Sequence, residues 1–553
     1  MPTDIEIARA ATLRPIDEVA AELGIPSEHI LPYGRTKAKI VAPLPATPTG
    51  KLILVTAMTP TKAGEGKTTT SVGLAQGLGR IGKNGCVVLR EPSLGPIMGV
   101  KGGAAGGGHS QVVPMEDINL HFTGDFHAIT AAHNLLSAAL DNHLHQGNAL
   151  DIEPRTVLWK RVLDMNDRAL RGVMVGLGGR TMGVPRETGF DITAASELMA
   201  ILCLSEDFAD LQGRIGNILI GQTRGTKEAV RAKDLGVVGA MAVLLKDAVY
   251  PNLVQTLEGT PAIIHGGPFA NIAQGTNSVI ATKTALAHAD YVVTEAGFGA
   301  DLGAEKFLNI KCTAADLKPS CVVLVATIRA LKLHGGVRFA DLSQPDAEAV
   351  RRGLPNLERH LDSVGEFGLT PVVAINHFGA DTDEEIAVVQ ELCAARGLRC
   401  AVNKGFAEGG DGAADLARAV VEVVDAATPG FEPIYDRTMD PKEKIQRICT
   451  RIYGASDVAY TAQAEADLRR YARLGLKDLA VCMAKTPASL SDDPRRLGRP
   501  EDFTITVREV QVAAGAGFLV PITGDIMRMP GLPKVPAAER MYVDGDGNIQ
   551  GLD

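Results

Sequence analysis

The run Gly64-Glu65-Gly66-Lys67-Thr68 lies between an apolar stretch, Leu52 to Thr56, and a segment with Val72, Leu74, Ala75, Leu78 and Ile81 at helical spacing. Strand, glycine-containing turn and helix start, in that order, are the context of a phosphate-binding loop. Glycines let successive backbone N–H groups turn inward around an anion, and the helix that follows adds its positive end. A lysine at 67 reaches the β- and γ-phosphates of a nucleoside triphosphate, and the Thr68 hydroxyl can ligate Mg²⁺. The usual spacing asks for glycine at position 61, where this chain has Thr61. The remainder fits a deviant form of the loop, with Thr61, Lys62, Ala63, Gly64, Glu65, Gly66, Lys67 and Thr68 as the expected ATP contacts. An ordinary surface turn is the alternative.

Such a loop needs a rigid frame. Apolar, strand-like runs recur at Cys86–Leu89, Val173–Gly176, Ile218–Ile220, Val237–Leu245, Ala262–His265, Tyr291–Thr294, Cys321–Ala326 and Val372–Asn376, separated by helical segments. Strands apolar throughout and alternating with helices predict an α/β fold of the P-loop NTPase kind, a mostly parallel sheet covered by helices. Residues 1–50 read as a helical lead-in. A boundary near 355–370, after a polar helical segment, and a proline-marked break at 429–441 predict three domains, 1–361, 362–450 and 451–553, the last two being small α/β or α+β units.

Ligands of such sheets lie beyond the carboxyl ends of the strands. There the chain places Arg90-Glu91, then a glycine-rich stretch at 102–108 that reads as a mobile cover over the phosphates. His121, Asp125 and His127 form a polar concentration, and His265-Gly266-Gly267 with Asn271 mark another strand-to-helix junction. Glu295 ends a strand, the position that helps hold Mg²⁺ or its waters near a phosphate loop, with Asp301 the runner-up. Capping of the next helix is the plain alternative for either. Phe378 and Phe406 follow two further runs. Aromatics are only 4% of the chain, so two at strand ends fit a stacking slot for a flat ring, simple packing being the other reading.

The formal charge of −9 over 553 residues argues against a broad nucleic-acid or anionic-membrane surface, so a phosphate-bearing substrate must be held by a local cluster. No run approaches the roughly 18 apolar residues a membrane helix needs. Early acids at Asp4 and Glu6, with no apolar core after them, predict no signal peptide. Eight scattered cysteines without a C-x-x-C pair suit free thiols in a reducing cytoplasm.

Four blocks carry a resemblance: TPTKAGEGKTTT, LREPSLGPIMGVKGGAAGGGHSQVVPMEDINLHFTGDFHAI, VQTLEGTPAIIHGGPFANIAQGTNSVIATKTALAHADYVVTEAGFGADLGAEKF and GAGFLVPITGDIMRMPGLPKVPAAER. In order and nearly continuous from about residue 30 to the end, they resemble formate–tetrahydrofolate ligase (10-formyltetrahydrofolate synthetase). The resemblance implies that formate, ATP and tetrahydrofolate give 10-formyltetrahydrofolate, ADP and phosphate. It further implies Mg-ATP, a stimulating monovalent cation such as potassium or ammonium, a homotetramer, a polyglutamate form of the folate, and no nucleic-acid or membrane partner. The large domain would then carry nucleotide and formate, and the middle unit would contribute to the folate slot. Lys67 would act on the transferring phosphate, Arg90 on formate and then formyl phosphate, Thr68 and Glu295 on Mg²⁺, and Phe378 and Phe406 on the folate ring. Asp125 and His127, with His121, would order the site or aid proton removal from N10. Three positions depart from the family pattern: Lys62 where proline is usual, Phe406 where tryptophan is usual, and Ala488 where an aromatic is usual. Another ATP-driven carboxylate-activating ligase, or a dimeric ATP switch using Lys62, are the competing readings.

Overall fold

A strand that is apolar at every position is stable only where both of its faces are covered. The computed structural model describes residues 2–44, 48–101, 105–270, 272–426 and 430–552, and it places most of the predicted runs in one sheet. In chain order its principal strands are β1 Ile30–Pro32, β2 Ala38–Ile40, β3 Lys51–Ala57, β4 Gly85–Leu89, β5 Asn252–Thr256, β6 Pro261–Ile264, β7 Tyr291–Glu295, β8 Pro319–Ala326, β9 Pro371–Asn376 and β10 Cys400–Asn403. They pair in the order β1-β2-β5-β6-β4-β7-β3-β8-β9-β10. From β6 to β10 every neighbouring pair is parallel. At the other edge β1, β2 and β5 run antiparallel.

β3 shows how the sheet is held. Its side chains alternate between two cores. Ile53, Val55 and Ala57 meet Val72, Leu74, Ala75 and Leu78 of the helix Lys67–Arg80, with Leu416 and Val420 behind them. Leu52 and Leu54 join the opposite core, with Val279, Phe307, Leu331 and Leu357. Truncating one such leucine to alanine costs about 2–5 kcal/mol, so this loop-bearing strand is firmly anchored.

Several expectations change. The apolar run at 237–245 is a helix, Val238–Leu244, of which only Met241 is buried. A short apolar run does not by itself distinguish strand from helix, and here Met241 and Leu245 face a core while Val243 is left 74% exposed. Val173–Val175 and Leu219–Gln222 are strands, but each pairs within its own two-stranded sheet. The lead-in supplies two short helices, Asp4–Ala10 and Ile16–Glu22, and also β1 and β2.

The runs at 371–376 and 400–403, predicted to open a separate unit, are β9 and β10 of the central sheet, which therefore crosses residue 361 without a break. The polar segment before them is an amphipathic helix. Val350, Leu357, Leu361 and Val364 of the helix Ala347–Gly365 are buried, and this helix forms part of the crossover between β8 and β9. Toward the C-terminus the strands form smaller sheets, Asp457–Tyr460 with Thr504–Val507, and Glu509–Ala513 with Phe518–Ile522 and Ala480–Val481. Among the described residues no helix is long and apolar enough to cross a membrane.

Candidate active site

β4, β7 and β3 are neighbours, so their carboxyl ends deliver Arg90, Glu295 and the loop 58–66 to one place. Gly66 takes the left-handed conformation, φ +70°, ψ 32°, immediately before the helix Lys67–Arg80. A side chain there would be strained, and its Cβ would collide with the Asn376 amide. Lys67 and Thr68 open the helix, and the Thr68 hydroxyl donates to Glu295 Oε2 at 2.8 Å.

Arg90 is held more loosely. Its Nη2 lies 3.8 Å from Glu295 Oε1, its Nη1 donates to the Pro268 carbonyl at 3.3 Å, and its buried Nε has no hydrogen-bond partner among the described residues. Gly297 leaves it room, since a Cβ there would stand 3.1 Å from Nη1. A partly buried guanidinium with a spare donor is suited to a small planar anion.

The loop is fixed from outside. The Glu65 side chain is turned inward and only 1% exposed. Its carboxylate accepts from the Thr61 N–H at 2.6 Å and from the Thr327 hydroxyl at the end of β8. Asn376, at the end of β9, donates to the Glu65 carbonyl at 3.1 Å. Thr61 is buried, while Lys62, Ala63 and Gly64 face solvent.

The two aromatics lie along the same row of strand ends. Phe378 follows β9, and the Arg329 guanidinium carbon sits 3.8 Å above its ring centroid. Phe406 follows β10 and is 45% exposed. Its carbonyl accepts from the His109 N–H at 2.8 Å, and a Cβ on Gly107 would stand 3.1 Å from its ring. Part of the glycine-rich stretch therefore packs on Phe406. Gly106–Gly107 pairs with Ser110–Val113, whereas 102–104, like Asn271, lies outside the described residues. Asn403 links the two aromatic-bearing strands, donating to Asn376 Oδ1 at 3.2 Å.

A family profile described as formate–tetrahydrofolate ligase matches residues 2–553. A formate–tetrahydrofolate ligase of Paracoccus denitrificans (strain Pd 1222) is 60% identical over 556 positions, covering 100% of both chains. The chain belongs to the formate–tetrahydrofolate ligase family.

In this member of the formate–tetrahydrofolate ligase family the remaining predicted residues sit in tighter surroundings. Asp125 is 1% exposed at the start of the helix Asp125–His145. Its carboxylate takes the Lys39 ammonium at 2.8 and 3.1 Å and the Asn252 amide at 2.8 Å. Lys39 on β2 was not singled out in the sequence, although a lysine inside the run Ala38-Lys39-Ile40 is a signal that a buried partner exists. Glu91 is buried close by, and burial first, then the Asp125 charge, push its carboxyl well above the usual range. His121 and His127 are exposed. His265 is enclosed between the Ser278 hydroxyl and the Ala248 carbonyl, each at 2.7 Å, and burial pushes it down to about 4. Asp301 pairs at 3.0 Å with Lys485, and both side chains are fully buried. Thr68 and Glu295 bring two oxygens together and could hold a hard divalent cation, since Mg²⁺ takes one or two protein oxygens and completes its shell from phosphates and water.

Proposed function

We propose that this chain joins formate to N10 of tetrahydrofolate, consuming ATP and releasing 10-formyltetrahydrofolate, ADP and phosphate. The carrying observation is the under-used Arg90 guanidinium, 3.8 Å from Glu295 and in the row of strand ends that bears Lys67 and Thr68.

Formate is a resonance-stabilised anion and a poor acyl donor. A formate oxygen attacks the γ-phosphorus of ATP, the bond to ADP breaks, and formyl phosphate forms. N10 then attacks the formyl carbon, the carbon–oxygen bond breaks, phosphate leaves, and N10 loses its proton. The first step brings two anions together, so positioning and charge stabilisation do most of the catalysis. Backbone N–H groups of 64–68 cradle the phosphates, Lys67 neutralises the transferring group, and the Arg90 fork binds formate and then formyl phosphate. Thr68 and Glu295 would hold Mg²⁺, which neutralises charge on the β- and γ-phosphates when bound. Phe378 and Phe406 flank the folate ring. Asp125, paired with Lys39, orders the wall behind Glu91, and His127, exposed in the first turn of the helix Asp125–His145, is the candidate for moving the N10 proton. The same reading includes a homotetramer, a stimulating monovalent cation and a cytoplasmic setting, which rest on family likeness.

The test is ADP release from the purified chain with each substrate withheld in turn, followed by acid conversion of the product to its methenyl chromophore. Turnover should need formate, ATP and tetrahydrofolate together. ATP hydrolysis that proceeds equally well without formate would overturn the reading.

A further inference from the structure

Arg329 belongs to no motif, yet it touches both halves of the site. The helix Ile328–His334 begins directly after β8, capped by Thr327, whose hydroxyl accepts from the Ala330 N–H at 3.1 Å and donates to Glu65. Two residues on, Arg329 Nη2 donates to the Gly64 carbonyl at 3.1 Å. Thr327 and Arg329 thus grip consecutive residues of the phosphate-type loop. The other side of the same guanidinium lies on Phe378, 3.8 Å from the ring centroid, within cation–π range. Arg329 Nε is buried and has no hydrogen-bond partner among the described residues. Among the described residues one hydrogen bond and one aromatic face hold the guanidinium, so its position depends on both at once.

We infer that Arg329 is a positioning residue that couples occupancy of the ring slot to the geometry of the nucleotide loop, an inference that rests on Phe378 walling the slot and on 61–68 being that loop. With one face of Phe378 covered by the guanidinium, a flat ligand ring stacks on the other face. Stacking fixes the ring, the ring fixes the guanidinium, and the guanidinium fixes the Gly64 carbonyl. Nucleotide on the loop acts in reverse, since a coupling between two binding events is reciprocal. Asn376 does not substitute for this route. It ties the Glu65 carbonyl to the end of β9, and its side-chain hydrogen bonds among the described residues go to Glu65 and Asn403, not to Arg329.

The experiment is titration calorimetry on the full chain, with tetrahydrofolate as titrant, without and with saturating Mg-ADP, and with formate absent so that nothing turns over. The ratio of the two Kd values measures the coupling. The wild-type ratio should be at least about fivefold, the low end of typical coupling. Arg329→Leu keeps an apolar stem against Phe378 and removes the guanidinium. It should bring the ratio to within about twofold of unity, with the Mg-ADP Kd itself moving less than about threefold and the Tm little changed. Phe378→Leu cuts the other end of the bridge and should weaken tetrahydrofolate binding and abolish the coupling together. A wild-type ratio near unity, or Arg329→Leu with the wild-type ratio, overturns the inference. If Phe378→Leu leaves tetrahydrofolate affinity unchanged, the slot reading itself fails and the inference falls with it. If that variant binds weakly while Arg329→Leu keeps the ratio, the inference fails alone.

Discussion

Arg90 stands 3.8 Å from Glu295 with a spare donor, whereas Lys485 stands 3.0 Å from Asp301 and Lys39 2.8 Å from Asp125. The latter two pairs are almost completely removed from water. All three join a cation to a carboxylate at or near the central sheet, yet on the proposed function they serve opposite purposes. A charge taken fully out of water is tolerable only with a close partner and saturated hydrogen bonds, which Lys39 obtains from Asp125, Asn252 and the Tyr250 carbonyl. A charge meant for a substrate must stay partly unsatisfied until the substrate arrives. Spacing, and how fully the cation's own donors are used, therefore separate the buried lysines from Arg90 better than residue type does.

Breaking the architectural side should have the largest effect. Asp301→Ala strands the Lys485 ammonium in a buried site, where burial already lowers its affinity for a proton. Loss of one partner of a buried pair costs about 3–5 kcal/mol. Urea unfolding should show a correspondingly lower midpoint, with most of it regained in Asp301→Leu/Lys485→Met. Equal stability of the single variant and wild type would erase the contrast.

On the chemical side, Arg90→Lys keeps the charge but loses the planar fork. kcat should fall on the order of 10²-fold while Tm stays within a few degrees, the magnitude seen when one transition-state donor is removed. Near wild-type turnover would show that charge alone suffices there.

Phe406→Ala probes the rim. Removal of one stacking ring costs about 1–3 kcal/mol, so the folate KM should rise roughly 5- to 150-fold with the ATP KM near normal. An unchanged folate KM would assign Phe406 to packing against Gly107 and Gly108.

The smallest effect concerns Glu305, which burial pushes up to about 7. A carboxyl whose folded pKa is raised contributes stability that is complete below its unfolded pKa, near 4.5, and is lost as pH rises through 7. Glu305→Gln should therefore gain on wild type between pH 5 and pH 8 by roughly 1–3 kcal/mol. Parallel stability–pH curves for the two proteins would remove Glu305 from the buried titrating set.

Much of this was legible in the residues. The loop from Gly64 to Thr68 and the apolar runs at β3, β4, β6, β7, β8 and β9 are local patterns, and local patterns encode strand, turn and helix start. Ligand chemistry at strand ends follows from the sheet class, which drew attention to Arg90, Glu295, Phe378 and Phe406. The misjudged stretches share one cause. The run at 237–245 and the amphipathic helix before β9 have their meaning set by what packs on them. Only the tertiary structure decided which strand ends are neighbours, and so that Thr68 bonds Glu295 across 227 residues of chain. It likewise turned Glu65 inward, gave Asp125 and Asp301 their lysines, and laid Arg329 on Phe378. Spacing along the chain reports on contacts within a turn or a strand. Pairings between distant segments are set by sheet order and by burial of whole faces, which no short window of sequence contains.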